Sequence, residues 1–227
     1  MRMEKELIQF LTQFVTENRA DLFEKVLNKR TRYITVALED IYQSQNASAV
    51  LRTSDCLGLQ DVHIIENNNE YTINPDVALG SSKWLNLYKY NEKENNTLAA
   101  IKKLKAEGYR IVATTPHTED VNLENFDIEK GKFALFFGTE QNGLSDLMIE
   151  NADEYLKIPM YGFTESFNIS VSAAVILHHL TSKLRNSGIA WELTQNEKLP
   201  IKLTWLKQTI KMSSQLIDEF LSKKKHL

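Results

Sequence analysis

Hydrophobic side chains recur with two different spacings along this chain. Near the N-terminus the spacing is three to four residues, which predicts amphipathic helices at 3–15 and 20–29. From Tyr33 onwards, short runs rich in β-branched and aromatic residues alternate with further helical patterns. These patterns predict strands at 33–38, 62–65, 84–90, 109–113, 132–137 and 155–158, and helices at 45–57, 95–107, 169–185 and 200–222. The alternation predicts an α/β fold, a mostly parallel sheet with helices on both faces.

Turn and cap residues divide the chain into three segments. Gly58 and Gly108 are well placed to end the helices that precede them. Pro200 is well placed near the start of the last helix. We therefore predict an N-terminal helical extension at 1–30, an α/β domain at 31–187 and a basic C-terminal helical extension at 188–227.

The composition narrows the class of protein. Of the 227 residues, 42% are hydrophobic and 25% are charged, which is typical of globular domains and unlike disordered, collagenous or membrane chains. Cys56 is the only cysteine, which excludes an internal disulfide and a zinc site built from cysteine pairs. No run approaches 18 apolar residues, and the N-terminus lacks the pattern of a secretory signal. We therefore expect a cytoplasmic protein that does not contact membranes.

Charge is distributed unevenly along the chain. The net charge is −3 overall, but it is +2 over residues 1–36, −10 over 37–182 and +5 over 183–227. An acidic body with basic ends favours a polyanionic partner such as a nucleic acid. The alternative is that the lysine-rich end serves only solubility.

Three loops that follow predicted strands carry the residues most suited to chemistry. In an open parallel sheet, ligands bind beyond the carboxyl ends of the strands. We expect the three loops to meet in one crevice if their strands are neighbours. The loops are 114–117 (Thr-Thr-Pro-His), 138–143 (Gly-Thr-Glu-Gln-Asn-Gly) and 159–168, which ends in Glu-Ser-Phe-Asn.

Several common cofactor motifs are absent from the sequence. The glycine loop is not a Walker loop, because Leu144 and Ser145 follow Gly143 where a lysine and a serine or threonine are required. No predicted strand is followed by the Gly-x-Gly-x-x-Gly pattern of dinucleotide-binding domains. The five histidines are not spaced as a set of metal ligands, so we predict no metal.

Three segments, in order and at suitable distances, together resemble a known family. The first is 46–53, Asn-Ala-Ser-Ala-Val-Leu-Arg-Thr, in which an arginine follows an asparagine by six positions. The second is 137–144, Phe-Gly-Thr-Glu-Gln-Asn-Gly-Leu. The third is Ile-Pro-Met at 158–160 with Glu-Ser-Phe-Asn-Ile-Ser-Val-Ser-Ala-Ala at 165–174. Over about residues 31–185, the chain resembles the SpoU/TrmH family of RNA ribose 2′-O-methyltransferases in the SPOUT superfamily.

The resemblance implies several properties. It implies an S-adenosylmethionine-dependent enzyme, a deep trefoil knot near the C-terminal end of the sheet, and a homodimer with the cofactor site at its interface. Within the family, the chain is most similar to enzymes that methylate the 2′-hydroxyl of guanosine 18 in the tRNA D-loop. The support is the short N-terminal helical extension and the basic C-terminal helix, in place of a separate substrate-binding domain. The resemblance therefore implies a tRNA substrate.

The resemblance also implies catalytic residues: Arg52, Asn46, Glu140, Ser166 and Asn168. A ribose hydroxyl is a weak acid, so its attack on a methyl donor needs a base or a group that stabilises the developing alkoxide. The family proposal is that Arg52 takes the proton. Because arginine is almost always protonated, we favour Arg52 as a phosphate clamp and alkoxide stabiliser, with the proton passing to water or phosphate.

These residues also have ordinary structural interpretations. Arg52 would then be a surface residue paired with Asp55, and Glu140 a loop acid instead of a group that orients Arg52 or the ribose. Three of these residues are of types that commonly cap helices. Asn46 is expected to cap the helix that carries Arg52, and Ser166 and Asn168 precede helix 169–185.

Other positions match the family's cofactor pocket. They are Thr114, Gly138, Ile158, Met160 and Phe167. A glycine permits close approach of the backbone, and the apolar side chains would form walls for adenine. Phe167 departs from the family, which usually has leucine there, so the pocket shape is expected to differ. The alternative is that these residues are only core at the ends of strands.

Basic residues near the two ends are expected to contact RNA phosphates. They are Arg19, Lys25, Arg30, Arg32, Lys202, Lys207 and Lys211. Trp191 and Trp205 either stack on a base or are buried on helix faces. Two other functions stay open: a ribosomal RNA ribose 2′-O-methyltransferase, and a catalytically silent RNA-binding module of the same fold.

Overall fold

The computed structural model describes residues 2–72, 74–116 and 121–225. By their contacts, the residues form two compact units, Thr31–Trp191 and the combination of Met1–Arg30 with Glu192–Leu227. The two end segments of the chain therefore share one unit. Within the described ranges, no helix combines the length and the apolar character needed to cross a membrane.

The unit Thr31–Trp191 is built on a parallel sheet of seven strands within the described residues. The strands are β1 (Ile34–Glu39), β2 (Asp61–Ile65), β3 (Asn86–Tyr90), β4 (Arg110–Thr114), β5 (Val121–Asn122), β6 (Phe133–Phe137) and β7 (Glu154–Lys157). Their order is β3-β2-β1-β6-β4-β7-β5, and every pair is parallel. The register places Leu135 opposite Val36 on one side and Val112 on the other. The predicted class of fold is confirmed.

Helices cover both faces of this sheet. Because successive residues of a strand point to opposite sides, each strand contributes side chains to two separate cores. Phe133, Leu135 and Phe137 of β6 belong to one core cluster, while Ala134 and Phe136 belong to the other. The first cluster is covered by α3 (Ser44–Cys56) and α7 (Ile169–Arg185), and the second by α5 (Asn96–Ala106) and α6 (Asp146–Asn151). The C-terminal knot implied by the family resemblance stays a prediction.

The second unit consists of helices from both ends of the chain. These are α1 (Arg2–Thr12), α2 (Glu17–Leu27), α8 (Gln195–Thr209) and α9 (Ser213–Lys225). Aromatic side chains join them: the Phe23 and Trp205 rings lie 5.6 Å apart, and the Phe10 and Phe220 rings 5.4 Å apart. The four helices thus share an apolar core assembled from residues that lie 182 and 210 positions apart in these two pairs.

The prediction of a single last helix at 200–222 is wrong. Helix α8 begins earlier, because Thr194 and Glu197 form a capping box, each side chain pairing with the other residue's backbone N–H. Pro200 therefore lies inside α8, and not near its start. The chain leaves helical geometry at Ile210, where ψ is 114°, and resumes it in α9.

The short elements that the sequence did not predict include the helix α4 (Pro75–Ala78), the two-residue strand β5 and the six-residue helix α6. Each is too short to show a hydrophobic period, so only its tertiary contacts or caps define it. Gly58 and Gly108, with φ of 82° each, end α3 and α5 as predicted.

Candidate active site

The loops after β4, β6 and β7 converge, because these strands are neighbours in the sheet. They enclose a crevice of about 310 Å³ at the carboxyl edge, which continues into a smaller one of about 60 Å³. The predicted meeting of the three loops is confirmed for the described residues. His117 of the first loop lies outside them. The site residues that line the two parts of the crevice are Thr114, Gly138, Glu140, Ile158, Met160, Ser166 and Phe167.

The glycine loop after β6 closes on itself. Thr139 donates its N–H to the Gly143 carbonyl, and Gly143 donates back to the Thr139 carbonyl, both at 2.9 Å. A Cβ atom at Gly138 would lie 2.1 Å from the Gly143 oxygen and 2.3 Å from the Leu144 nitrogen. Because backbone occupies that space, only glycine fits at 138 without displacing the loop.

Glu39, which belongs to none of the sequence motifs, anchors the far end of this loop. It is buried at the end of β1 and accepts hydrogen bonds from the Ser145 N–H (2.9 Å), the Ser145 hydroxyl (2.7 Å) and the Thr97 hydroxyl (2.6 Å). Ser145 in turn caps α6 through the Met148 N–H. An acid that ends an otherwise apolar strand was the available signal, because a buried carboxylate needs several donors.

Three polar residues, one from each motif, form a cluster beside the crevice. The Asn46 side-chain amide donates a short hydrogen bond to Glu140 Oε1. Asn168 Nδ2 donates to the same oxygen at 3.1 Å and to Asn46 Oδ1 at 3.2 Å. The structure therefore brings together Asn46, Glu140 and Asn168, with Ser166 on the same crevice wall.

Of the three predicted helix caps, only Asn168 is a cap in the structure. Asn46 does not cap α3, because Gln43 occupies that position and Asn46 lies in the first turn, where its amide also donates to Gln43 Oε1 at 2.9 Å. Asn168 does cap α7, by accepting the Ser170 N–H at 2.8 Å. Ser166 is two residues outside that helix and caps nothing there.

Arg52 stands apart from the cluster. It is exposed on α3, and among the described residues its guanidinium forms no hydrogen bond or ion pair. Neither the predicted contact with Glu140 nor the alternative pairing with Asp55 is present there. Six positions along a helix turn a side chain well away from the starting face, so Asn46 and Arg52 leave α3 on different sides, and only Asn46 contacts Glu140 of the same chain.

The cofactor-pocket positions lie together along the crevice. Thr114, at the end of β4, donates its hydroxyl to the Phe136 carbonyl at 2.7 Å and so ties β4 to β6. Ile158 and Met160 line the smaller part, and Phe167 lines both parts while 45% of its side chain is exposed. The crevice thus combines an apolar wall with backbone polar groups, a combination suited to a nucleoside.

The basic residues expected to contact RNA differ in their exposure to solvent and in whether an acidic residue already pairs with them. Arg30 is buried with 1% exposure and its guanidinium lies 5.5 Å from the centre of the Trp205 ring, so the prediction of a phosphate contact by Arg30 is wrong. Arg32 pairs with Asp61 at 2.9 Å, and Lys202 pairs with Glu24. The residues of the set that are exposed are Arg19, Lys25, Lys207 and Lys211. Trp205 is buried on a helix face and is not free to stack on a base.

The chain is similar to several known proteins. The SpoU rRNA methylase family matches residues 33–178. A tRNA (guanosine(18)-2′-O)-methyltransferase from Borreliella burgdorferi is 49% identical over 95% of this chain and 96% of the relative. One from Thermus thermophilus is 32% identical over 77% of this chain and 87% of the relative. The crystal structure of the Aquifex aeolicus TrmH/SpoU tRNA-modifying enzyme superimposes with a TM-score of 0.76 and 28% identity, covering 86% of this chain and 98% of that one.

The family match covers more than half of the chain and includes all three motifs, of which the second and third line the crevice. A full-length relative at 49% identity agrees with it. This chain therefore belongs to the SpoU methylase family.

Proposed function

We propose that this protein is a cytoplasmic, S-adenosylmethionine-dependent methyltransferase that modifies the ribose 2′-hydroxyl of guanosine 18 in tRNA. The observation that carries the proposal is the cluster of Asn46, Glu140 and Asn168, assembled from three distant motifs at the crevice. The tRNA substrate is supported by the relatives from Borreliella burgdorferi and Thermus thermophilus, whose names specify that reaction.

The crevice fits the methyl donor. The glycine turn at Gly138 leaves no room even for a Cβ atom, so a ligand there meets bare backbone groups. Thr114, Ile158, Met160 and Phe167 would complete the pocket for the adenosine part. When bound, the cofactor supplies a methyl group on a sulfonium, which is already activated for transfer.

The protein's own contribution is alignment and charge. Asn46 and Asn168 hold one oxygen of Glu140 and leave its second oxygen to accept a hydrogen bond from the ribose hydroxyl. That bond would orient the 2′-oxygen toward the methyl carbon. When the methyl group is transferred, the hydroxyl would give up the proton that it shares with Glu140, and the carboxylate would pass it on to water or a substrate phosphate. Alignment of this kind supplies several kcal/mol of the barrier reduction, and up to about 7–11 in the best cases.

The proposed assembly is a homodimer. Tyr161 and Phe163 project almost fully exposed from the third loop, and Val171 and Val175, one turn apart on α7, are exposed as well. Exposed apolar side chains grouped on one loop and on the helix that follows it favour an interface. Because Arg52 does not reach Glu140 of its own chain, we infer that Arg52 of one protomer completes the site of its partner.

Arg52 would then clamp a substrate phosphate and stabilise the charge that develops on the 2′-oxygen. Mixed dimers test this arrangement. Arg52→Ala and Asn168→Ala chains, each inactive alone, are given different tags, co-expressed and purified by both tags. If Arg52 acts across the interface, each mixed dimer has one intact site and recovers about half of wild-type activity. If it acts within its own chain, both sites carry a defect and the mixed dimers stay inactive.

The reaction itself is tested by incubating the purified protein with S-adenosylmethionine and either unmodified tRNA or ribosomal RNA. Mass spectrometry of nuclease digests then locates the methyl group. We expect 2′-O-methylguanosine at position 18 of tRNA. Methylation of ribosomal RNA alone would overturn the proposed tRNA substrate. RNA binding without methyl transfer would instead support a catalytically silent RNA-binding module of the same fold.

A further inference from the structure

A second cavity borders the polar cluster. It measures about 890 Å³ and shares Glu140, Ser166 and Phe167 with the cofactor crevice. Asn168 lines it as well, so two members of the cluster face it. The rest of its wall comes from the glycine loop (Thr139, Gln141 and Asn142) and from three residues that no motif contains, Tyr42, Gln43 and Asn69. A cavity that meets the crevice at the reacting groups is the place for the second substrate.

Tyr42 offers a flat, accessible surface in this cavity. It lies between β1 and α3 with 79% exposure, whereas its neighbour Ile41 is 6% exposed and belongs to the core. Gln43 follows at the N-cap position of α3, and its Oε1 accepts the Asn46 amide at 2.9 Å. Tyr42 is therefore the direct sequence neighbour of a residue that is bonded to the catalytic cluster. Aromatic side chains stack on unpaired RNA bases.

Asp40 holds Asn69, another residue of the cavity wall, in place. Asp40 has a φ of 54°, and its carboxylate accepts the backbone N–H groups of Asn67 (2.7 Å), Asn68 (2.8 Å) and Asn69 (3.2 Å). Burial by itself would raise the pKa of Asp40, but these hydrogen bonds outweigh it and lower the pKa. The loop is therefore bound to a charged carboxylate at neutral pH.

The side chain of Asn69 has a defined orientation. Its Nδ2 donates to the Asp40 carbonyl at 2.9 Å, which leaves Oδ1 as an acceptor. Asn69 lines the cavity, whereas Asn68 uses its amide on the Asp40 carboxylate at 2.9 Å and does not line it. A fixed acceptor in a cavity selects a ligand that has a donor in that position.

We propose that this second cavity is the acceptor-nucleoside pocket, in which Tyr42 stacks on the purine and Asn69 Oδ1 accepts a hydrogen bond from the guanine Watson–Crick edge. Guanine has N–H donors at N1 and N2 on that edge, whereas adenine has an acceptor at N1 and no amino group at C2. The one donor of adenine on that edge, its C6 amino group, stands where guanine has a carbonyl, so an acceptor directed at N1 and N2 favours guanine. Tyr42 and Asn69 are then specificity residues for the base, separate from the groups that act on the ribose. The inference rests on the proposed function and names how that site chooses its nucleotide.

The stacking role is tested with Tyr42→Ala and Tyr42→Phe. Because stacking on an aromatic ring contributes substantially per base, Tyr42→Ala should raise the KM for tRNA roughly tenfold or more, while Tyr42→Phe stays near wild type. The dissociation constant for S-adenosylmethionine, measured by calorimetry, should not change in either variant and shows that both are folded. An unchanged KM in a folded Tyr42→Ala protein would overturn the stacking role.

The acceptor role is tested with Asn69→Ala and the matched control Asn68→Ala. Both remove one side-chain hydrogen bond to Asp40, so both loosen the loop similarly. With tRNA transcripts carrying guanosine or adenosine at the acceptor position, Asn69→Ala should lower the guanosine preference in kcat/KM about tenfold or more. Asn68→Ala should keep the wild-type preference.

If both variants keep the preference, or both lose it equally, Asn69 does not read the base. In that case wild-type methylation of guanosine 18 would still stand. If the wild-type protein transfers no methyl group to tRNA, the proposed function itself fails.

Discussion

Asn168 donates a hydrogen bond to Asn46 across 122 positions of sequence, at 3.2 Å, and both amides donate to the same oxygen of Glu140. Two neutral donors on one carboxylate oxygen give charge-assisted hydrogen bonds, which are stronger than neutral ones. The contact therefore fixes the start of α7 against the first turn of α3 and sets the direction of the Glu140 carboxylate. A carboxylate held in this way is prepared for its substrate before binding.

Asn168 has two roles that substitutions can separate. Its Oδ1 caps α7, and its Nδ2 holds Glu140. Asn168→Ala removes both and should cost about 1 kcal/mol of stability together with methyl transfer. Asn168→Asp keeps an acceptor for the cap but places a second negative charge beside Glu140, so it should retain most of the stability and still lose activity. Thermal unfolding and single-turnover rates measure the two effects; an active Asn168→Asp enzyme would contradict the role assigned to Nδ2.

Gly138 should tolerate no side chain. In Gly138→Ala the new Cβ would meet backbone atoms of Gly143 and Leu144 at 2.1–2.3 Å, which forces the glycine loop to move. We expect the dissociation constant for S-adenosylmethionine, measured by calorimetry, to rise more than tenfold. The matched control is Gly188→Ala, where a Cβ meets nothing within 4 Å. Equal cofactor affinity of Gly138→Ala and wild type would show that this loop does not form the pocket.

His63 should make the protein sensitive to mild acid. Burial, reinforced by the positive charge of Lys103, lowers the pKa of His63 from 6.5 to about 3. Below pH 6.5 the unfolded chain therefore binds a proton that the folded protein does not, and the free energy of unfolding falls as the pH drops toward 3. Between pH 6.5 and 5 the loss is about 2 kcal/mol.

The stacked contacts of His63 with Tyr88 and Tyr90 suggest His63→Phe as the comparison variant. It keeps a ring in the core but removes the titrating group, so its urea midpoint should change less between pH 6.5 and 5 than that of wild type. Parallel pH profiles of the two proteins would assign the acid sensitivity to other groups.

The exposed basic residues should govern the salt dependence of tRNA binding. Removing one phosphate contact by Lys207→Ala or Lys211→Ala should weaken binding and reduce the slope of log K against log salt by about 1 unit. Arg30→Ala should instead lower thermal stability and leave the slope unchanged, because its side chain packs on Trp205 and is buried. Filter binding over a salt series separates the two classes; a reduced slope in a folded Arg30→Ala protein would show that Arg30 does contact a phosphate.

The contributions of sequence and tertiary structure can be separated at particular residues. Short apolar runs such as 132–137 identified the buried strands, because a strand covered on both faces needs hydrophobic residues at successive positions. The motifs, through their family resemblance, identified Asn46, Glu140 and Asn168 as site residues. Local pattern failed where the determinants are not local: α8 and α9 are two helices, and Arg30 is buried by helices from both ends of the chain.

Only the tertiary structure decided which residues meet. Asparagine commonly caps helices, and the residues around Asn46 do not indicate that Gln43 takes the N-cap position of α3. Asn46 is therefore available to bond Glu140. Tyr42 and Asn69 belong to no motif and share a cavity because β1 and β2 are adjacent strands. Sequence patterns report the local preferences of the backbone and the demand for burial. The pairing of strands sets which distant side chains share a cavity, and that follows from the packing of the whole unit.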